Sequence, residues 1–110
     1  MANRRRESPS ELTESWPDAP SPDPAGEIAR RFVLNLVDAI GEQSVRSVAH
    51  RAAVDEATVR HIISGTAWPD LRTVARLEDG LAVPLYPMRS SGDSGFPPAQ
   101  IDADPAHLKE

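Results

Sequence analysis

Proline has no backbone N–H and clashes with the preceding turn of a helix, so its placement decides where helices can run. In this 110-residue chain nine of the eleven prolines lie outside residues 25–86. Only the middle can therefore carry several regular elements, and its roughly sixty residues suffice for one small hydrophobic core. The flanks, 1–24 and 87–110, are rich in Ser, Pro, Asp and Glu. Segments of that composition bury too little apolar surface to offset their ordering entropy, so both are expected to be disordered tails. In the second, Ser90-Ser91-Gly92-Asp93-Ser94-Gly95 and Pro97-Pro98 supply turn and linker chemistry, and Ile101 and Leu108 are candidate anchors for a protein partner.

Between the flanks the apolar period becomes helical. Ile28, Phe32, Leu36, Val37 and Ile40 recur at three- to four-residue steps, with Asp23-Pro24 as cap and first turn and Gly41 as stop. Ser44 caps a second, short segment whose inward positions are Val45, Val48, Ala49 and Ala52. After Ala53-Val54, Asp55 caps a third that turns Val59, Ile62 and Ile63 inward and ends at Gly65. Trp68-Pro69 breaks the chain. Asp70 then caps a fourth helix with Leu71, Val74, Ala75 and Leu77 inward and Gly80 near its end, while Leu81, Val83, Leu85 and Tyr86 close the core through a last helical turn.

Several function classes are excluded by what is missing. There is no cysteine, so a thiolate metal site, a disulfide and a cysteine nucleophile are all ruled out. Arg4-Arg5-Arg6 is followed by Glu7-Ser8-Pro9-Ser10-Glu11 rather than an apolar run, which is not the pattern of a secretory leader. The most apolar stretch, Phe32 to Ile40, is interrupted by Asn35 and Asp38 and falls far short of the ~20 residues of a membrane span. A soluble, cytoplasmic protein with no membrane partner is expected. No serine sits in a nucleophile elbow and no glycine-rich phosphate loop appears, so an enzyme is not expected, nor any cofactor. His50 and His61 lack third and fourth ligands at recognisable spacing for a metal. The formal charge of −5 is spread over all three parts, with seven basic and eight acidic side chains in 26–86. That near-neutral middle limits non-specific attraction to phosphate.

Two short helices joined by about three residues, the second opening on small and polar side chains, make the helix-turn-helix arrangement in which the second helix enters the major groove. The stretch SVRSVAHRAAVDEATVRHIISGTAWPDLRTVARLEDGLAVP, within residues 26–86, resembles the lambda-repressor-like or Cro-type (XRE family) DNA-binding domain. Ser44 matches the serine that opens helix two, Ala49 the close-packing alanine, and Asp55 the cap of helix three. Val59 and Ile62 match its apolar pair, Gly65 the following glycine, Pro69-Asp70-Leu71 the start of helix four, and Leu77, Leu81 and Val83 the closing pattern. The chain departs from the family at Ala53, where a glycine is common, at Val45, where a glutamine often contacts DNA, and at Ile63, where a glutamate is frequent. If Ala53 needs a positive φ, it carries strain of order 1 kcal/mol. The resemblance implies an all-α, compact four- to five-helix lambda-repressor-like helix-turn-helix domain over 25–86, flanked by the disordered tails. It also implies double-stranded DNA as partner, homodimers on palindromic operators and no catalysis.

On that frame the recognition helix covers about 56–64, and Glu56, Ala57, Thr58, Arg60 and His61 are the candidate base-reading residues. Arginine pairs with guanine, glutamate accepts from cytosine, and alanine or threonine offers a methyl to thymine. Ser44 and Arg46, and Ser64, Thr66 and Trp68 after helix three, are candidate sugar-phosphate contacts that set register. For Trp68 packing beside Pro69 competes with that role, and for Arg4-Arg5-Arg6 a solubilising tail competes with a phosphate-tracking arm. Leu85, Tyr86 and Met88 are candidates for a homodimer contact. A transcriptional regulator, repressor-like, is the function expected. The alternative is a protein-interaction module, an antitoxin or adaptor, that keeps the fold and holds a protein through helix three or the C-terminal tail.

Overall fold

The computed structural model describes residues 6–88, which contain four α-helices and no strand: α1 (Pro24–Ile40), α2 (Val45–Ala52), α3 (Glu56–Ser64) and α4 (Leu71–Leu81). A short 3-10 helix, Pro9–Leu12, precedes them. Arg4 and Arg5 and everything from Arg89 onward, including Ile101 and Leu108, lie outside the described residues.

Each α-helix starts where a short polar side chain can accept a free backbone N–H of its first turn. Asp23 Oδ2 accepts from Gly26 N at 2.8 Å, Ser44 Oγ from Ser47 N at 3.0 Å, Asp55 Oδ2 from Ala57 N at 3.1 Å and Asp70 Oδ1 from Thr73 N at 2.8 Å. The ends are less uniform. α1 and α3 stop on glycines with positive φ, Gly41 and Gly65, whereas α2 and α4 stop on alanines held in the left-handed region, Ala53 at φ 60° and Ala82 at φ 59°. The strain conditionally expected at Ala53 is therefore present in its backbone.

The core joins Phe32, Val33, Leu36 and Ile40 of α1 to Val48, Ala49 and Ala52 of α2, Val59 and Ile62 of α3, and Val74 and Leu77 of α4. Five inward assignments fail. Val37 is exposed and Val33 takes its place, because the buried arc of α1 is centred on Ala29, Val33, Leu36 and Ile40. On α4, Leu71 is 81 % exposed and Ala75 is exposed, since that helix turns only Val74 and Leu77 fully inward. Val83 and Tyr86, expected to close the core, are also exposed.

Gly80 is the last residue but one of α4, near its end as expected, and has a second constraint. A Cβ there would sit 2.8 Å from Ala52 Cα and 2.9 Å from Ala52 Cβ, so the glycine sets how closely α4 approaches α2. Beyond α4 no fifth helix forms among the described residues. Instead Glu78 accepts from the Leu85 and Tyr86 amides at 2.7 and 3.0 Å, and Asn35 Nδ2 donates to Leu85 O at 2.8 Å. These bonds carry Leu85 into the core, where it is 1 % exposed. Two amide donors at one carboxylate hold Glu78 below its ordinary pKa.

The largest departure is at the front of the chain. Residues 6–23 belong to the 1–24 segment whose composition predicts a disordered tail, yet they fold along α1 and the end of α3. Ser10 N donates to Gly65 O and Trp16 Nε1 to Ile63 O, both at 2.9 Å. Pro9 is buried, and a Cβ on Gly65 would come within 2.7 Å of Ser10 Cβ and Trp16 Cε2. The Ser21 hydroxyl donates to Leu12 O at 2.6 Å and Thr13 Oγ1 to Ala19 O at 2.6 Å. Prolines shrink the conformational freedom of the unfolded segment, so ordering it costs less than its polarity suggests. Glu27 then pins the segment to α1. Its carboxylate accepts from Arg30 Nη2 at 2.7 Å, Arg31 Nε at 3.0 Å and Ser21 N at 2.8 Å. The Arg30 bond, with help from Ser21 and Arg31 and against partial burial, lowers its pKa to about 2.

Among the described residues no helix is long and apolar enough to cross a membrane.

Candidate nucleic-acid interface

The connection between α2 and α3 consists of Ala53, Val54 and Asp55. Val54 N donates to Ala49 O at 3.0 Å and Arg76 Nη1 to Ala53 O at 3.0 Å, so the turn is tied to both α2 and α4. α3 is seated on this turn by Val59 and Ile62, which are 0 % and 1 % exposed. At 100° per residue the opposite face of the helix then follows: Ala57, Arg60, His61 and Ser64, spaced i, i+3, i+4 and i+7, are all exposed and form one stripe. Four of the predicted residues are thus brought onto a single outward face.

Two more flank it. Glu56 is half-buried at the head of the helix, and its Oε2 accepts from Arg60 Nη2 at 2.7 Å and Nε at 3.0 Å. Arg46 of α2 approaches the other oxygen, with Nε 3.6 Å from Oε1 and a side chain 85 % exposed. The Arg60 hydrogen bonds, then the charges of Arg60 and Arg46, hold Glu56 below the ordinary carboxylate range. One carboxylate therefore sits between two guanidinium groups, and the three together carry a net charge of +1 rather than +2.

Thr58 does not join the stripe. It is half-buried on the flank facing α4, in a shallow cleft with Asp55, Asp70, Arg72, Thr73 and Arg76. Arg72 and Arg76 were missed by the sequence reading. Their spacing of four on α4 was visible, but only the seating of α4 on α2 and on the turn, where Arg76 bonds Ala53 O, brings them into one cleft with Thr58. Ser47, His50 and Arg51 were likewise missed. They line a shallow hollow on α2 with Ser44 and Arg46.

The remaining candidates spend their polar atoms on the protein itself. Ser44 Oγ is the α2 cap. Ser64 Oγ and Thr66 Oγ1 both donate to His61 O, at 3.1 and 3.2 Å, and lie 3.0 Å from each other, closing the end of α3 with Gly65. Trp68 Nε1 donates to Glu7 O at 2.9 Å, and its half-buried ring lies beside Pro69 in an apolar groove. Packing accounts for that side chain, and its one N–H is taken. His50 and His61 gain no further ligands: among the described residues no group of three or more His, Cys, Asp or Glu is gathered to hold a metal ion.

Compared with protein-family models, curated proteins and solved structures, the chain matches none.

Proposed function

We propose that this protein is a sequence-specific double-stranded DNA-binding regulator, repressor-like, with a lambda-repressor-like helix-turn-helix domain that presents α3 to the major groove. The observation that carries the reading is the outward stripe Ala57, Arg60, His61 and Ser64 on a short helix that is fixed from behind by two buried residues and by a three-residue turn. A helix entering the groove needs its base-reading side chains on one face and a rigid seat on the other.

The roles follow from the chemistry. Arg60 offers a fork of donors to guanine O6 and N7, Ala57 a methyl-sized contact to thymine, and Glu56 an acceptor for cytosine N4–H. Because Arg60 and Glu56 are already paired, they act as a unit that favours a C·G step over isolated phosphate. Arg46, 85 % exposed, stands beside the face, where groups that contact the sugar-phosphate strand set register, and Ser44, whose oxygen caps α2, keeps its hydroxyl proton for a phosphate. With few uncompensated charges, affinity rests more on base contacts than on counterion release, so its salt dependence is shallow for a DNA-binding protein. Arg60→Ala is expected to weaken binding to a selected duplex by about 1–3 kcal/mol and to relax preference at one base pair, with the fold unchanged. Titration of labelled duplexes varied at single positions reads this out, and unaltered affinity and preference would remove Arg60 from the interface.

A second reading, a protein-interaction module of the antitoxin or adaptor type, is favoured by one observation. Glu56 neutralises the cationic part of the same face. Under that reading Glu56→Gln leaves DNA affinity absent, while under the first it raises it.

A further inference from the structure

Between the first half of α1 and the start of α4 runs a groove of about 580 Å³, walled by Ile28, Phe32, Trp68, Pro69, Leu71 and Tyr86. Its size is that of a ligand site, and its surroundings are apolar. The one charged group on it, Asp70, is engaged by the Thr73 amide as the cap of α4. Leu71 stands at its edge 81 % exposed, at a helix start where a solvent-facing leucine gains nothing from water.

The chain itself leads to this groove. Glu78 and Asn35 fix Leu85 and the Tyr86 amide, so Tyr86 forms a wall, and the described chain ends two residues later at Met88, 85 % exposed. Residues 89–95 then run Arg-Ser-Ser-Gly-Asp-Ser-Gly. Seven residues span at most about 23 Å, enough to turn back across the groove. The first apolar cluster they deliver is Phe96-Pro97-Pro98-Ala99, uncharged between Asp93 and Asp102. Consecutive prolines favour an extended, pre-ordered helix whose ring faces stack on grooves walled by tryptophan, tyrosine and proline.

We propose that the α1–α4 groove is the docking site of the chain's own Phe96-Pro97-Pro98 segment, held in cis over Leu71, Trp68 and Tyr86. Tethering through so short a connection supplies an effective concentration in the millimolar range, so a contact too weak to hold a free peptide suffices. The inference stands apart from the DNA-binding reading and uses none of the α3 stripe.

The absence of cysteine allows a clean test in the full chain. A nitroxide attached through Ala99→Cys is expected to broaden the methyl resonances of Ile28 and Leu71 and the indole N–H of Trp68, while leaving those of Ala57 and Val48 sharp. Adding Phe96→Ala should restore the broadened signals. In a mixture of spin-labelled chain with isotope-labelled chain lacking the nitroxide, the groove signals should stay sharp. Absence of selective broadening overturns the proposal, and so does broadening insensitive to Phe96→Ala. Equal broadening in the mixture overturns it as well, by showing that a second copy supplies the segment.

Discussion

Ala53 is the residue where this fold is most open to improvement. It ends α2 with φ 60° and ψ 42°, a conformation that costs an L-residue with a Cβ roughly 1–2 kcal/mol. Glycine adopts it freely but loses more entropy on folding, by about 0.5–1 kcal/mol. The Ala53 side chain is exposed, so removing its Cβ gives up no core contact, and the Arg76 bond to the Ala53 carbonyl is untouched. The balance predicts that Ala53→Gly stabilises the protein by roughly 0.5–1 kcal/mol. For a folded unit of this size that is a rise in Tm of roughly 2–8 °C. Urea unfolding followed by circular dichroism, with the slope unchanged, measures it. Ala82→Gly, at φ 59° and exposed, should move in the same direction. A loss of 0.5 kcal/mol or more at either site, the ordinary cost of glycine in regular backbone, would refute the left-handed assignment there.

The opposite sign is expected at Gly80. A glycine in a helix interior normally gains about 1 kcal/mol on conversion to alanine, but Gly80→Ala drives a methyl into the Ala52 backbone and should instead destabilise by about 1–3 kcal/mol in the same assay. Gly65→Ala combines φ 79° with a collision against Ser10 and Trp16, so it should both lower stability and shift the Trp16 emission as the N-terminal segment is displaced. Glu27 supplies a pH test. Its pKa is depressed to about 2 from 4.5, so its contribution is complete above about pH 4.5 and is lost as pH falls towards 2. Partial exposure limits that contribution to about 2 kcal/mol. Urea midpoints should therefore drop across that window, and Glu27→Gln should be less stable at pH 7 with a flatter acid limb. Glu56→Gln leaves Arg46 and Arg60 uncompensated and should tighten binding to non-specific duplex several-fold, steepen the salt dependence and narrow the margin of the selected site, measured by fluorescence anisotropy at two ionic strengths.

What was legible in the sequence was the punctuation. Asp23, Ser44, Asp55 and Asp70 each cap a helix as their position suggested, because a cap is a local interaction between a side chain and an amide two or three residues on. The inward pair Val59 and Ile62 was legible for the same reason, and it carried the outward stripe of α3 with it. The misses are long-range. Trp16 reaches a carbonyl 47 residues away, and its seat exists only because Gly65 has no side chain. Composition scored the prolines of that segment as disorder, although they also restrict it and help it pack. Gly80 does stand near the end of α4, but its second constraint, the backbone of Ala52, lies on another helix and leaves no local signal. Periodicity points Leu71 inward, but it is the first residue of α4 and stands beyond the contact with the other helices, 81 % exposed. Thr58 was grouped with the stripe by adjacency in sequence, and the position of α4 takes it away. The i,i+4 pairing of Glu56 with Arg60 was open to reading from its spacing, whereas the approach of Arg46 to the same carboxylate was not, since it depends on how α2 and α3 cross.

Whether the α3 face reads DNA is decided by selection of bound duplexes from a randomised pool by the purified full chain, at low and at near-physiological salt. One enriched motif is expected, containing a G·C pair whose preference is lost in Arg60→Ala, and it should survive the higher salt. Its symmetry would report whether one copy or two bind. No enrichment, or binding that disappears as salt rises, would contradict DNA reading and leave the face to a protein partner.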